Sequence, residues 1–304
     1  MQNIIRYPAK SEKVKQFIID YGWCYIFIAL PVLLFLTFTL YPLLRAFIMS
    51  FQQYQVMGSQ WIGFENYARI LRSKLFLKAL YNTFIYTVGT VPVNIMISLG
   101  LALLIFQLGK KAQTFFKASF YLPAVASGVT MSLVWLIMYD PTPDGLLNKV
   151  IHLFGMPNIN WLGRMDIALF SLMLMTFIGG HGSGIILYLA SLGGIPKTIY
   201  EAAEIDAAST WSKFRNITWP LLKPTTLYMF VTGIIGSSQV FMTAYLMTSG
   251  GPNHATTTIA YLIYQDAFEY FDFGFAAAES FVLAIIIVGV SILQFKYLGS
   301  DVEY

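Results

Sequence analysis

Charged residues are spaced along this chain so that they leave six long apolar windows between them. A helix needs about 20 predominantly apolar residues to cross the roughly 30 Å hydrocarbon layer. The windows that meet this length are Tyr21–Leu44, Ala79–Gly109, Ala118–Tyr139, Ile167–Pro196, Pro224–Met247 and Phe275–Phe295. The fourth is charge-free apart from His181, and Glu279 interrupts the sixth. The pattern predicts an all-α integral membrane protein with six transmembrane helices. The first apolar run is too long for the core of a secretory signal and is followed by no small-residue cleavage site, so it is expected to stay as a helix.

Lys and Arg in the short connectors orient the spans. Arg6, Lys10, Lys13 and Lys15 precede the first; Lys110, Lys111 and Lys117 follow the second; Lys197, Lys213, Arg215 and Lys223 follow the fourth; Lys296 ends the sixth. With six spans these all fall on one side, which places both termini in the cytoplasm. Asp140, Asp144, Asp166, Asp266, Glu269 and Asp272 fall on the other side. Arg69, Arg72, Lys74 and Lys78 are the exception, in the first outer loop. There the segment IGFENYARILRS reads as an interfacial amphipathic helix with Tyr67, Ile70 and Leu71 on one face.

Composition agrees with the pattern: 57% of residues are hydrophobic, 16% aromatic and 11% charged, and mean hydropathy is +0.64. A single cysteine, Cys24, excludes an internal disulfide and a cysteine-based metal site. The net charge of +4 is small for 304 residues, and no basic run forms a nucleic-acid patch. No G-x-x-x-x-G-K-[ST] segment is present, so this chain is expected to bind no ATP and to be no enzyme.

The densest mixed-charge segment is EAAEIDAASTWSKFRNITWPLLKP, Glu201 to Pro224, in the cytoplasmic connector after the fourth window. Thr198 with Glu201 fits a capping box, which predicts a helix carrying Ala202, Ala203 and Asp206 on one side. Ser209 or Thr210 is placed to cap a second helix with Trp211, Phe214 and Ile217. Pro220 is expected to end that helix, and Pro224 to sit in the first turn of the next span. Helix, turn and helix with exposed aromatics favour a protein-docking element over a solvated connector.

This segment resembles the EAA loop of the membrane subunits of binding-protein-dependent ABC importers, specifically the MalF/UgpA-type permeases for sugars. Glu201, Ala202, Ala203, Asp206, Ala208, Phe214, Ile217 and Pro220 match in register, while Ala207 stands where the family usually has glycine and Trp219 where it usually has leucine. GFENYARIL (Gly63 to Leu71), YLPAVASGVTMSLVW (Tyr121 to Trp135), GLLN (Gly145 to Asn148), SGGPNHATTT (Ser249 to Thr258) and FGFAAAES (Phe273 to Ser280) are similar to the family's other recurring segments, in family order.

The resemblance implies a heterodimer with a second permease subunit, two cytoplasmic ATPase subunits that bind ATP and Mg, an extracytoplasmic solute-binding protein, and a sugar, with an oligosaccharide favoured. It implies ATPase docking by Glu201, Ala202, Ala203, Asp206 and Phe214. It implies a bacterial or archaeal cytoplasmic membrane, and a path lined by the helices on either side of the loop. Counted from the loop, Thr176, Gly180, Ser183, Gly236, Ser237 and Val240 face that path, with Phe177 and Phe241 as rings for apolar sugar faces. The turn Gly250, Gly251, Pro252 and Asn253 is the candidate contact with the solute-binding protein. In this frame residues 1–20 form a cytoplasmic arm, 21–299 the transmembrane domain with the coupling loop at 197–224, and 300–304 a tail.

The small residues of the fourth and fifth windows also fit plain helix packing. His181 is open to two readings, a functional intramembrane group or a neutral imidazole bonded to a neighbouring helix. Glu279 is expected near the outer end of the last span, within reach of water or a partner. These two residues also frame the competing function, a proton-coupled secondary transporter. An intramembrane serine protease is excluded, because His181 and Ser183, two apart on a helix, point to different faces.

Overall fold

The structure, a computed structural model, describes residues 10–55 and 58–298. Residues 1–9 of the predicted N-terminal arm, and 299–304 with the predicted tail, lie outside the described residues. In chain order the helices are α1 (Lys10–Phe35), α2 (Tyr41–Met49), α3 (Glu65–Arg72), α4 (Lys74–Phe106), α5 (Lys110–Val125), α6 (Gly128–Met138), α7 (Leu146–His152), α8 (Ala168–Gly179) and α9 (Gly182–Gly194). There follow α10 (Lys197–Ile205), α11 (Thr210–Lys213), α12 (Trp219–Ser238), α13 (Met242–Thr248), α14 (Ile259–Tyr264) and α15 (Phe273–Leu298). Wider π turns at Leu36–Leu40, Phe214–Thr218 and Gln265–Glu269 join α1 to α2, α11 to α12, and extend α14. The protein is not purely helical: β1 (Gln52–Gln55) and β2 (Gly58–Trp61) pair as an antiparallel hairpin in the first predicted outer loop.

Three helices are long and apolar enough to cross a membrane: Asp20–Met49, Lys74–Phe106 and Phe273–Tyr297. Three bent pairs complete six if each pair is one crossing. The pair α8 and α9 bends by 43°, and the α12 helix with α13 by 42°. The third predicted window departs most from a rod, because α5 and α6 meet at 95°. Pro123 lies in the last turn of α5, Ala126 and Ser127 are extended, and the Ser127 side chain caps α6 by accepting from the Thr130 N–H.

The core is a bundle centred on α4. Val91, Ile95 and Ala102 of α4 pack with Ile185, Tyr188 and Leu192 of α9 and Leu222 of α12. A second cluster joins Ile70 of α3 and Phe76 of α4 to Ile259, Phe275 and Ala278. A third surrounds Tyr86, Trp135, Tyr139, Leu172 and Tyr261. In contrast, the apolar run from Asp20 to Met49 buries none of its side chains against the rest of the chain. Lipid or another subunit must cover it. In α3, Ile70 is buried as expected, but Leu71 is 77% exposed and belongs to the opposite side, its place in the buried face taken by Asn66.

Candidate functional site

The connector forms two helices, with departures from the expected local chemistry at both ends. α10 starts at Lys197 with Pro196 as its N-cap and no side-chain cap, so the Thr198–Glu201 capping box is not formed. Proline supplies the entry by its fixed φ, and Thr198 already lies inside the helix. At the turn Asp206 is the C-cap and Ala207 adopts φ +52°, the left-handed conformation that glycine takes without penalty. Ser209 then caps α11, accepting from the Ser212 N–H at 3.2 Å.

Pro220 does not end the second helix. It occupies the first turn of α12, directly after the π turn Phe214–Thr218, and Pro224 lies inside α12. The extra residue in a π turn shifts the hydrogen-bond register, so a proline without an N–H fits where a regular helix would break.

Glu201, Ala202 and Asp206 are exposed on this element, and Ala203 and Phe214 are half-buried. The ion pair between Lys213 and Glu204 at 2.9 Å and the hydroxyl contact of Tyr200 with Thr218 at 2.9 Å hold α10 against the second helix. Trp211 and Phe214 stack with centroids 5.5 Å apart. Both rings line an apolar groove of about 710 Å³ together with Phe106, Leu192 and Tyr200. Ile205 was not singled out by the sequence, yet it is 87% exposed beside Asp206.

Between α4, the α8–α9 pair and α12 lies a cavity of about 460 Å³. Thr176, Gly180, Ser183, Gly236, Ser237 and Val240 all line it. The spacing argument missed the third wall, made by Tyr86, Thr90, Asn94 and Ser98 of α4. These recur every four residues and therefore share one helix face. The Tyr86 and Thr176 hydroxyls are 3.1 Å apart, and the Ser237 hydroxyl donates to Thr87 Oγ1 at 3.1 Å. Asn94 Oδ1 is buried without a partner. Among the described residues no Lys, Arg, His, Asp or Glu lines the cavity.

The glycines divide by role. A Cβ on Gly184 would stand 2.6 Å from Met229 Cε and 2.7 Å from Ser98 Oγ, and one on Gly233 would stand 3.0 Å from Val91 Cγ1, so these two serve helix packing. A Cβ on Gly236 would meet nothing within 4 Å. Phe177 and Phe241 are not on the cavity; they pack in the cluster around Tyr139, and the lining rings are Tyr86 and Tyr228.

His181 is also turned away from the cavity. It sits at the break between α8 and α9, is buried, and its Nε2 donates to the Phe177 carbonyl at 2.5 Å. The bond returns four residues to α8 of its own bent span and not to a neighbouring helix, and Nδ1 is buried without a partner among the described residues. Glu279, expected within reach of water or a partner, is fully buried beside Asp266 in the second turn of α15. The charges acting on it are Asp266, Arg69 and Asp272.

The turn after α13 is a built structure. Gly250 is buried at φ +77°, and a Cβ there would stand 2.5 Å from Thr257 Oγ1 and 2.7 Å from Tyr261 Cε1. Gly251 and Pro252 are half-buried and joined by a cis peptide, while Asn253 is exposed. Asn82 of α4 donates to the His254 and Thr257 carbonyls, both at 2.9 Å, and fixes the turn to the bundle.

Residues 66–297 match the family model of the binding-protein-dependent transport system inner membrane component. The chain belongs to this family. It is 34% identical over 277 residues to the arabinooligosaccharides transport system permease protein of Bacillus subtilis, covering 91% of this chain and 88% of that one. It is 33% identical over 280 residues to the lactose transport system permease protein of Rhizobium radiobacter, covering 90% and 92%. The fold is shared with a chain of a bacterial ABC transporter involved in import of the acidic polysaccharide alginate, at a TM-score of 0.84 and 21% identity, covering 96% of this chain and 100% of that one. As a member of this family the protein is a membrane-embedded transport component of the sugar ABC permease type.

Proposed function

We propose that this permease is one of two membrane subunits of an ATP-driven importer for a neutral oligosaccharide, delivered by an extracytoplasmic solute-binding protein. The cavity carries this reading. Its wall offers the hydroxyls of Thr90, Ser98, Thr176, Ser183 and Ser237, the amide of Asn94 and the rings of Tyr86 and Tyr228, with no charged side chain. Hydroxyls and an amide exchange hydrogen bonds with sugar hydroxyls, and the rings take the apolar sugar faces. A phosphorylated or acidic solute would leave its charge unpaired there.

In this reading six crossings leave both termini in the cytoplasm of a bacterial or archaeal cell. Two ATPase subunits, which hold ATP and Mg, receive α10 and α11 in surface clefts through Glu201, Ala202, Ala203, Asp206 and Phe214. Asn253 and Pro252 at the opposite end meet the solute-binding protein. ATP binding moves the coupling helices and reopens the cavity to the outside.

The test is uptake by the reconstituted complex. Neutral oligosaccharides are expected to compete with one another for entry, and sugar phosphates and uronates not to compete. Equal competition by charged and neutral solutes would refute the neutral-path reading.

A further inference from the structure

A fully buried carboxyl group on a membrane helix needs a partner, and Glu279 of α15 has none of the usual ones. It is 0% exposed, and neither of its side-chain oxygens has a hydrogen-bond donor among the described residues. The cation that acts on it, Arg69, is committed elsewhere. Both terminal nitrogens of Arg69 donate to Asp272 Oδ2 at 3.1 Å, and its guanidinium lies 4.2 Å from the centre of the Phe275 ring. The polar group beside Glu279 is the side chain of Asp266, in the π turn Gln265–Glu269, which packs against α15.

Two ionised carboxylates only accept hydrogen bonds, so they repel at this range and cannot bond. A proton on one of them turns the same contact into an O–H···O bond and removes one buried charge. A metal ion does not answer the need, because no three His, Cys, Asp or Glu side chains among the described residues converge on a metal site. We propose that Glu279 and Asp266 form a proton-binding site, in which one shared proton fastens the loop end of the last span to the segment Gln265–Glu269.

The surroundings fit. Arg69 comes from α3, Asp266 from the π turn and Asp272 from the junction before α15; α2, β1, α12 and α14 also pack against α15 and add no charge that acts on Glu279. On Asp266, burial together with the Asp272 charge outweighs the lowering by the neighbouring Glu279 side chain and the Arg69 charge, so its carboxyl is pushed up to about 6. A carboxyl raised on folding binds more protons in the folded state. Its contribution to stability is therefore full in acid and is lost as pH rises through about 6. As pH rises through about 6 Asp266 ionises, and the site passes to the state in which the two carboxyls share a single proton beside Asp272. That this tunes import to external acidity rests on the transport reading above; the proton site itself does not.

The test uses the intact complex in lipid nanodiscs. The infrared carbonyl stretch of protonated carboxylic acids is followed from acid to alkaline pH for the wild type, Glu279→Gln and Asp266→Asn. Each variant is first checked by gel filtration, and thermal unfolding is followed over the same range. The expected result is a protonated-carboxyl band that fades with rising pH in the wild type and is missing from Glu279→Gln, with a wild-type Tm that falls through about pH 6 and a flatter Tm in both variants. A wild type with no such band in acid, or a Glu279→Gln variant that keeps the full band, overturns the proposal. Because the band does not depend on uptake, a complex that transports nothing yet shows it would refute only the transport reading.

Discussion

At the scale of single residues, Gly236 separates a transport path from ordinary helix packing. The space beside it is open, whereas Gly184 is closed in by Met229 and Ser98. Gly236→Leu is expected to fill the cavity and lower uptake at least about tenfold, or ~1.4 kcal/mol of lost substrate stabilisation, while the complex still assembles. Gly184→Leu overpacks the α4–α9 contact at a cost of roughly 1–3 kcal/mol, so it should lower Tm and yield together with activity. Uptake and Tm measured on both variants check the distinction. Ala207 gives the opposite kind of prediction. Its φ of +52° is the left-handed conformation that glycine takes without penalty. Ala207→Gly should leave uptake unchanged and stabilise the loop by up to about 1 kcal/mol, seen as slower proteolysis of the connector. The departure was legible in the sequence, but the strain behind it needed the backbone angle.

At the scale of elements, the connector tests how force enters the chain. Ile205, Trp211 and Phe214 offer apolar surface at the end of two short helices, with Glu201 and Asp206 exposed beside them. Replacing Ile205 and Phe214 together by Ala should weaken ATPase binding by about 2–4 kcal/mol, since buried apolar anchors at a docking site commonly contribute ~1–2 kcal/mol each. The variant should abolish coupled ATP hydrolysis with little change in sugar binding, and titration of the ATPase against the solubilised permease measures the loss.

The two helices and the Ser209 cap were readable from residue types and spacing. The course through Pro220 was not, because the π turn Phe214–Thr218 has no sequence signature that separates it from regular helix. The same limit hid the 95° break between α5 and α6, where an apolar window long enough to span turns a corner at Ala126–Ser127. The polar face of α4 was readable after all. Tyr86, Thr90, Asn94 and Ser98 lie four apart inside an apolar window, but counting outward from the coupling loop directs attention only to the helices that flank it.

At the scale of the whole molecule, the chain is visibly incomplete by itself. Among the described residues the apolar run from Asp20 to Met49 has no buried side chain, and Trp211 and Ile205 stand exposed on the connector. Hydropathy made the membrane class legible, since it follows from solvent preference alone. Which apolar face meets lipid and which meets protein depends on partners, and residue type does not distinguish those two surroundings.

The most direct test of the account is affinity purification of the tagged chain from its native membrane, wild type beside the Ile205→Ala, Phe214→Ala variant, followed by reconstitution and uptake of a labelled neutral oligosaccharide. The account predicts that an ATPase and a second permease accompany the wild type, that the ATPase is depleted from the variant, and that uptake requires ATP and the solute-binding protein. A chain that purifies alone and moves sugar on a proton gradient without ATP would contradict it.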